Sequence, residues 1–221
     1  MILSQNRYKP KILLYGNCQL SVVAKWLNEF DCIELLKPQS YGIQTTYPWE
    51  QSVFFPLSVL TNQAVAQASN DADYFIFHEI VNPTFFPSKD LYNQSSAKKT
   101  CITNFCLNLP DKLNEQSITN SVKTDIDELV RRASIMKSRY GSDHVDMSKW
   151  IEDNWKCKFL WANKDLHPTM LYYIELYKQI KNKLFLELNI DPTKNIPQHS
   201  HPLLPQNQIV RIQEIFPNIE L

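Results

Sequence analysis

A cysteine stands directly after Gly16 and Asn17 in the run Lys11-Ile12-Leu13-Leu14-Tyr15-Gly16-Asn17-Cys18-Gln19-Leu20. The run is apolar and strand-like up to Tyr15. A helical pattern follows at once, with apolar side chains at Leu20, Val23, Ala24, Leu27 and Phe30. Cys18 is therefore expected on a tight strand-to-helix turn. Unpaired N–H groups and the helix dipole favour an anion at such a place. That environment lowers a thiol pKa and makes the sulfur a nucleophile. The predicted geometry is a nucleophile elbow with Cys in place of Ser. Gly16 is expected to supply a backbone angle that a side chain would forbid. It is one of only three glycines, with Gly42 and Gly141. The competing reading is a buried cysteine that merely fills space.

A second chemical segment is Phe159-Leu160-Trp161-Ala162-Asn163-Lys164-Asp165-Leu166-His167-Pro168. It reads as a strand, a polar loop and a helix start, with His167 at the helix entrance. Helix N–H groups there disfavour the imidazolium, so the ring should stay neutral. A neutral imidazole near Cys18 could act as its general base, with Asp165 or Asn163 orienting it. The competing reading is an ordinary polar residue before a helix.

The elements that must position these residues alternate. Strands are expected at Ile12–Tyr15, Cys32–Leu36, Tyr74–Phe77, Thr100–Thr103 and Phe159–Ala162. Helices are expected at Leu20–Phe30, Leu57–Ala68, Val122–Tyr140, Met147–Trp155, Thr169–Leu188 and Gln206–Phe216. Such alternation implies an α/β fold, a three-layer sandwich around a mainly parallel sheet of about five strands. Ligands of such folds bind at the carboxyl ends of the strands, the edge where Cys18 falls. The connections Pro38–Pro56 and Val81–Lys98 are long and aromatic, the kind of loop that carries function or covers a sheet edge. Asp191–Pro205 reads as a Pro-rich connector to a C-terminal helix.

The chain has 221 residues and zero formal net charge, with an isoelectric point near 6.9. This length suits one domain covering residues 1–221. No basic block suggests a nucleic-acid partner. Met1–Pro10 lacks the apolar core of a signal peptide. No apolar run approaches the ~20 residues that span a bilayer. Five irregularly spaced cysteines suggest reduced thiols and a cytoplasmic location. No metal site is expected. There is no Cys-x-x-Cys pair, and His199-Ser200-His201 has no further ligands nearby.

Taken together, the early Gly-Asn-Cys and the late Asp165-Leu166-His167-Pro168 resemble the SGNH/GDSL hydrolase pattern. That pattern has Gly-Asp-Ser early and Asp-x-x-His-Pro late, one residue more between acid and histidine than here. Gly16-Asn17-Cys18-Gln19 with Asn163 and His167-Pro168 is more closely similar to the WcbI-type polysaccharide biosynthesis family. The similarity extends to Asp73–Phe77, Lys137-Ser138-Arg139-Tyr140, Met147–Trp155 and Phe159 through Leu188. The resemblance implies an SGNH-hydrolase or flavodoxin-like fold and an acetyltransferase of bacterial capsule assembly that uses coenzyme A. It also implies oxyanion and substrate-binding groups. Gly16, Asn17 and Gln19 surround the nucleophile, Gly42 follows the second strand, and His78 and Asn82 follow the third. Coenzyme A phosphates need cations. Arg131, Arg132, Lys137 and Arg139 cluster near a helix C-terminus and Lys164 adjoins the loop that carries His167; Arg139 and Lys164 are the best placed.

Three functions fit these residues. The first is acyl transfer from acetyl-coenzyme A to a sugar hydroxyl. The second is an esterase or thioesterase with water as acceptor. The third is a non-catalytic protein that binds coenzyme A or a glycan. A homo-oligomer is compatible with each.

Overall fold

In a computed structural model of the chain, residues 8–17, 19–28, 30–43, 55–56, 62–79, 88–161, 168–184 and 204–220 are described. Contacts divide the chain into two compact units. One comprises Met1–Thr100 with Leu184–Ile190, the other Cys101–Lys183 with Asp191–Leu221.

The first unit is built on β1 (Lys11–Gly16) and β4 (Tyr74–His78), with β2 (Glu34–Leu35) and β3 (Phe55–Pro56) beside β1. β1 is parallel to β4, in register from Ile12↔Tyr74 to Tyr15↔Phe77. β2 pairs with the start of β1 and β3 with its end. Since Tyr15 pairs with both Phe55 and Phe77, β3 continues the edge opposite β4. Every residue of β4 is buried, as are all of β1 after Lys11. Strands buried on both faces read as continuous apolar runs, which is why Ile12–Tyr15 and Tyr74–Phe77 stand out in the sequence. The helices of this unit are α1 (Gln19–Leu27), α2 (Asn62–Asp71) and α3 (Ser88–Gln94). In α1 only Lys25 is exposed, so the helix is buried nearly all round.

The sheet continues in the order β2-β1-β4-β5-β6, where β5 is Lys98–Ile102 and β6 is His144–Val145. β5 and β6 are parallel, with Cys101 opposite His144. The fold is thus α/β with a parallel sheet, consistent with the expected three-layer sandwich. With the short β3 set aside, the order is 2-1-3-4-5, that of flavodoxin-like folds.

The helices of the second unit are α4 (Glu115–Tyr140), α5 (Ser148–Asn154), α6 (Met170–Leu184) and α7 (Gln206–Ile215). α4 begins at Glu115 rather than Val122, because Asn114 caps it by accepting from Ser117 N–H at 2.9 Å. It ends at Gly141, whose φ is +57°. Among the described residues, no helix is long and apolar enough to cross a membrane.

Several expected elements differ. α1 stops at Leu27 and α2 begins at Asn62. α3 falls inside a stretch read as loop. The described part of Phe159–Ala162 does not join the sheet. Phe159 donates its N–H to Glu220 O at 2.7 Å, and Glu220 donates to Cys157 O at 2.7 Å. The run is apolar because Phe159, Leu160 and Trp161 are buried in the core. The far end of the sheet is formed by β6 instead, too short to leave a periodic signal. The connector 191–203 lies outside the described residues.

Candidate functional site

β1 and β4 are neighbours in the sheet but not in sequence. The carboxyl ends of such strands frame the crevice where doubly wound folds take ligands. Register brings two sequence-predicted residues together there. Tyr15 lies opposite Phe77, so Gly16 and His78 are next in line. A Cβ on Gly16 would lie 2.7 Å from His78 Nδ1 and 2.6 Å from Leu20 Cδ1. Glycine is needed here for close approach. It is not needed for an unusual backbone angle, because the positive-φ glycines are Gly42 and Gly141. The expectation that Gly16 supplies a forbidden angle is therefore corrected.

Three hydrogen bonds among the described residues hold Asn17. Its N–H donates to His78 Nδ1 at 3.2 Å. Its side-chain Oδ1 accepts from Gln19 N–H at 3.1 Å, and its carbonyl accepts from Leu20 N–H at 3.0 Å. The last two are the pattern of a helix N-cap. Asn17 is thus a capping residue whose amide points at the imidazole, which removes that amide from the candidate oxyanion donors. Gln19 is buried at the start of α1.

His78 is only 2 % exposed. Burial pushes its imidazole down to about 3, so the ring is neutral at physiological pH. The sequence placed His78 at the strand end but did not show that it faces the Gly16-Asn17 turn. That relation needs the β1–β4 register, which no local pattern carries.

Gly42 has a different role from the one implied for it. It ends the 3₁₀ turn Pro38–Tyr41 with φ +75° and donates its N–H to Gln39 O at 3.1 Å. The left-handed angle, and not an oxyanion, accounts for the glycine.

Arg139 is exposed in the last turn of α4. Arg131 and Arg132 reach Glu128 at 2.7 and 3.2 Å, so these two cations already face a carboxylate. Cys18, Asn82, Asn163, Lys164, Asp165 and His167 lie outside the described residues. Trp161 and Pro168, which bracket the segment 162–167, form an antiparallel bridge. Of the remaining cysteines, Cys32 and Cys157 are exposed, Cys106 is half-buried and Cys101 is buried.

The second unit holds a further buried histidine that sequence reasoning passed over. His144 Nε2 lies 2.8 Å from Thr103 Oγ1. Burial lowers its pKa to about 4 against the opposing pull of Asp146.

Comparison with protein-family models, with curated proteins and with solved structures finds no match to this chain.

Proposed function

We propose that the chain is an acetyl-coenzyme A-dependent O-acyltransferase acting on a carbohydrate hydroxyl, in the manner of bacterial surface-polysaccharide biosynthesis. Cys18 is the nucleophile and His167 its base, with Asp165 as the orienting group. The observation that carries this reading is the bonding of Asn17 and Gln19, the residues before and after Cys18 in sequence. These residues are fixed at the carboxyl end of a central parallel strand, where doubly wound folds place their ligands. The sequence resemblance supplies the donor and the acceptor class.

In the proposed reaction the Cys18 thiolate attacks the acetyl thioester carbonyl. The carbon–sulfur bond to coenzyme A breaks, and coenzyme A leaves as a thiol with the proton held by His167. The sugar hydroxyl then gives its proton to His167 and attacks the acetyl-cysteine. Cys18 is released and the O-acetyl sugar leaves.

The test is a titration with acetyl-coenzyme A, followed by mass analysis of the protein without acceptor. Binding, and an added acetyl group on the Cys18 peptide, are the expected results. Cys18→Ala should abolish the acetylated species while coenzyme A still binds. Failure to bind coenzyme A rejects the acyltransferase reading. Steady release of acetate without acceptor reassigns the protein as a thioesterase.

A further inference from the structure

The hydrogen bond from Asn17 to His78 has an unambiguous direction. A backbone N–H can only donate, so His78 Nδ1 at 3.2 Å must offer a lone pair. With the ring neutral, its single N–H proton is on Nε2. Of the three bonds on Asn17, two are local and form wherever an asparagine caps a helix. The third reaches across 61 residues and exists only when β1 and β4 pair in the observed register. The ring can approach because Gly16 has no side chain. Gly16, Asn17 and His78 therefore form one packed unit that ends at the residue before Cys18.

We propose that His78 is a positioning residue of this site. Through Nδ1 it acts as a fixed hydrogen-bond acceptor that holds the peptide leading into Cys18. The role rests on the assignment of Cys18 as nucleophile given above. A thiol on a turn gains reactivity only if nearby donors keep their direction, and a displacement of about 1 Å can cost on the order of a hundredfold in rate. β3 pairs with Gly16 on one side of β1, and the His78 bond ties the next amide, that of Asn17, to β4 on the other.

The experiment uses the full chain in three forms: wild type, His78→Asn and His78→Leu. Asparagine can place Oδ1 near the Nδ1 position and keep the acceptor; leucine cannot. Nitrogen-15 NMR of the wild type should show His78 as the Nε2–H tautomer, with no titration between about pH 5 and 8. Iodoacetamide labelling, resolved by peptide mass analysis, should show Cys18 reacting faster than the exposed Cys32 and Cys157. His78→Leu should slow Cys18 at least about tenfold against those two standards and shift its pH profile upward. His78→Asn should stay within about threefold of wild type. If leucine prevents folding, the asparagine variant and the tautomer still decide the matter.

An Nδ1–H tautomer, or titration near the ordinary histidine value, overturns the acceptor role alone. So does a folded His78→Leu that labels like wild type, or a folded His78→Asn as slow as leucine. If wild-type Cys18 labels no faster than Cys32 and Cys157, the nucleophile assignment fails, and the positioning role fails with it. The tautomer measurement separates these two failures, because it does not depend on any reactivity of Cys18.

Discussion

At Gly16 the site depends on the side chain that is not there. Adding one methyl sets it 2.6 Å from Leu20 Cδ1 and 2.7 Å from His78 Nδ1. Gly16→Ala should therefore cost about 1–3 kcal/mol through overpacking, measured by urea unfolding. An unchanged midpoint would show that the ring has room to retreat. His78 also makes stability depend on pH. Its pKa is about 3 in the fold against 6.5 for an ordinary histidine. Between those values the unfolded chain binds the extra proton, so stability falls as pH drops from about 6.5 toward 3. It is fully present above that window. His144, held at about 4, adds a narrower contribution of the same sign. His78→Asn carries no titrating group. Its melting midpoint should fall less than that of wild type between about pH 7 and about pH 4.5. Parallel midpoints in the two proteins would contradict the buried neutral ring.

At the scale of elements, a two-residue strand at the end of the sheet needs help from outside it. β6 has two residues, His144 and Val145, and stands at the end of the sheet. Lys183 of α6 donates from Nζ to the carbonyls of Ser142 and His144, tying the helix to the chain entering β6. Partial burial lowers the Lys183 pKa, with Asp143 opposing. Lys183→Met should keep the packing of the stem and remove both bonds. Amide exchange at Val145 should then speed by about tenfold or more, the equivalent of one lost charge-assisted bond. Exchange at Phe75 in β4 should not change. The contrast between these strands also shows what a sequence displays. β1 and β4 were legible because burial on both faces forces an unbroken apolar run. α4 was legible because its one buried face must repeat every three to four residues. β3 and β6 have two residues each, and nothing periodic can appear in two residues. Phe159–Trp161 was misread because the same apolar run serves a buried segment bonded to Glu220 as well as it would serve a sheet strand. At the site, the motif around Cys18 was visible as a string of residue types. Its bracing by His78 was not, because register is a relation between distant segments.

At the scale of the whole molecule, the C-terminus is part of the second unit's structure. Ile219 and Phe216 are buried, Phe216 packs edge-on against Trp155, and Glu220 exchanges two backbone bonds with Cys157 and Phe159. Deleting residues 217–221 should lower the thermal midpoint and open a protease site near Phe159. A truncated chain as resistant as the full one would show that these bonds are dispensable. The deletion should leave the tautomer of His78 unchanged, since that ring belongs to the first unit. The contact between Gly16 and His78 has one more consequence, which concerns descent. The two positions share a single small volume, so neither can drift alone. A diverged chain that gains alanine at 16 must carry a smaller acceptor than imidazole at 78, and one that loses the acceptor at 78 frees position 16 to accept a side chain. The pair should therefore covary through a lineage as a unit, with Leu20 as the third member.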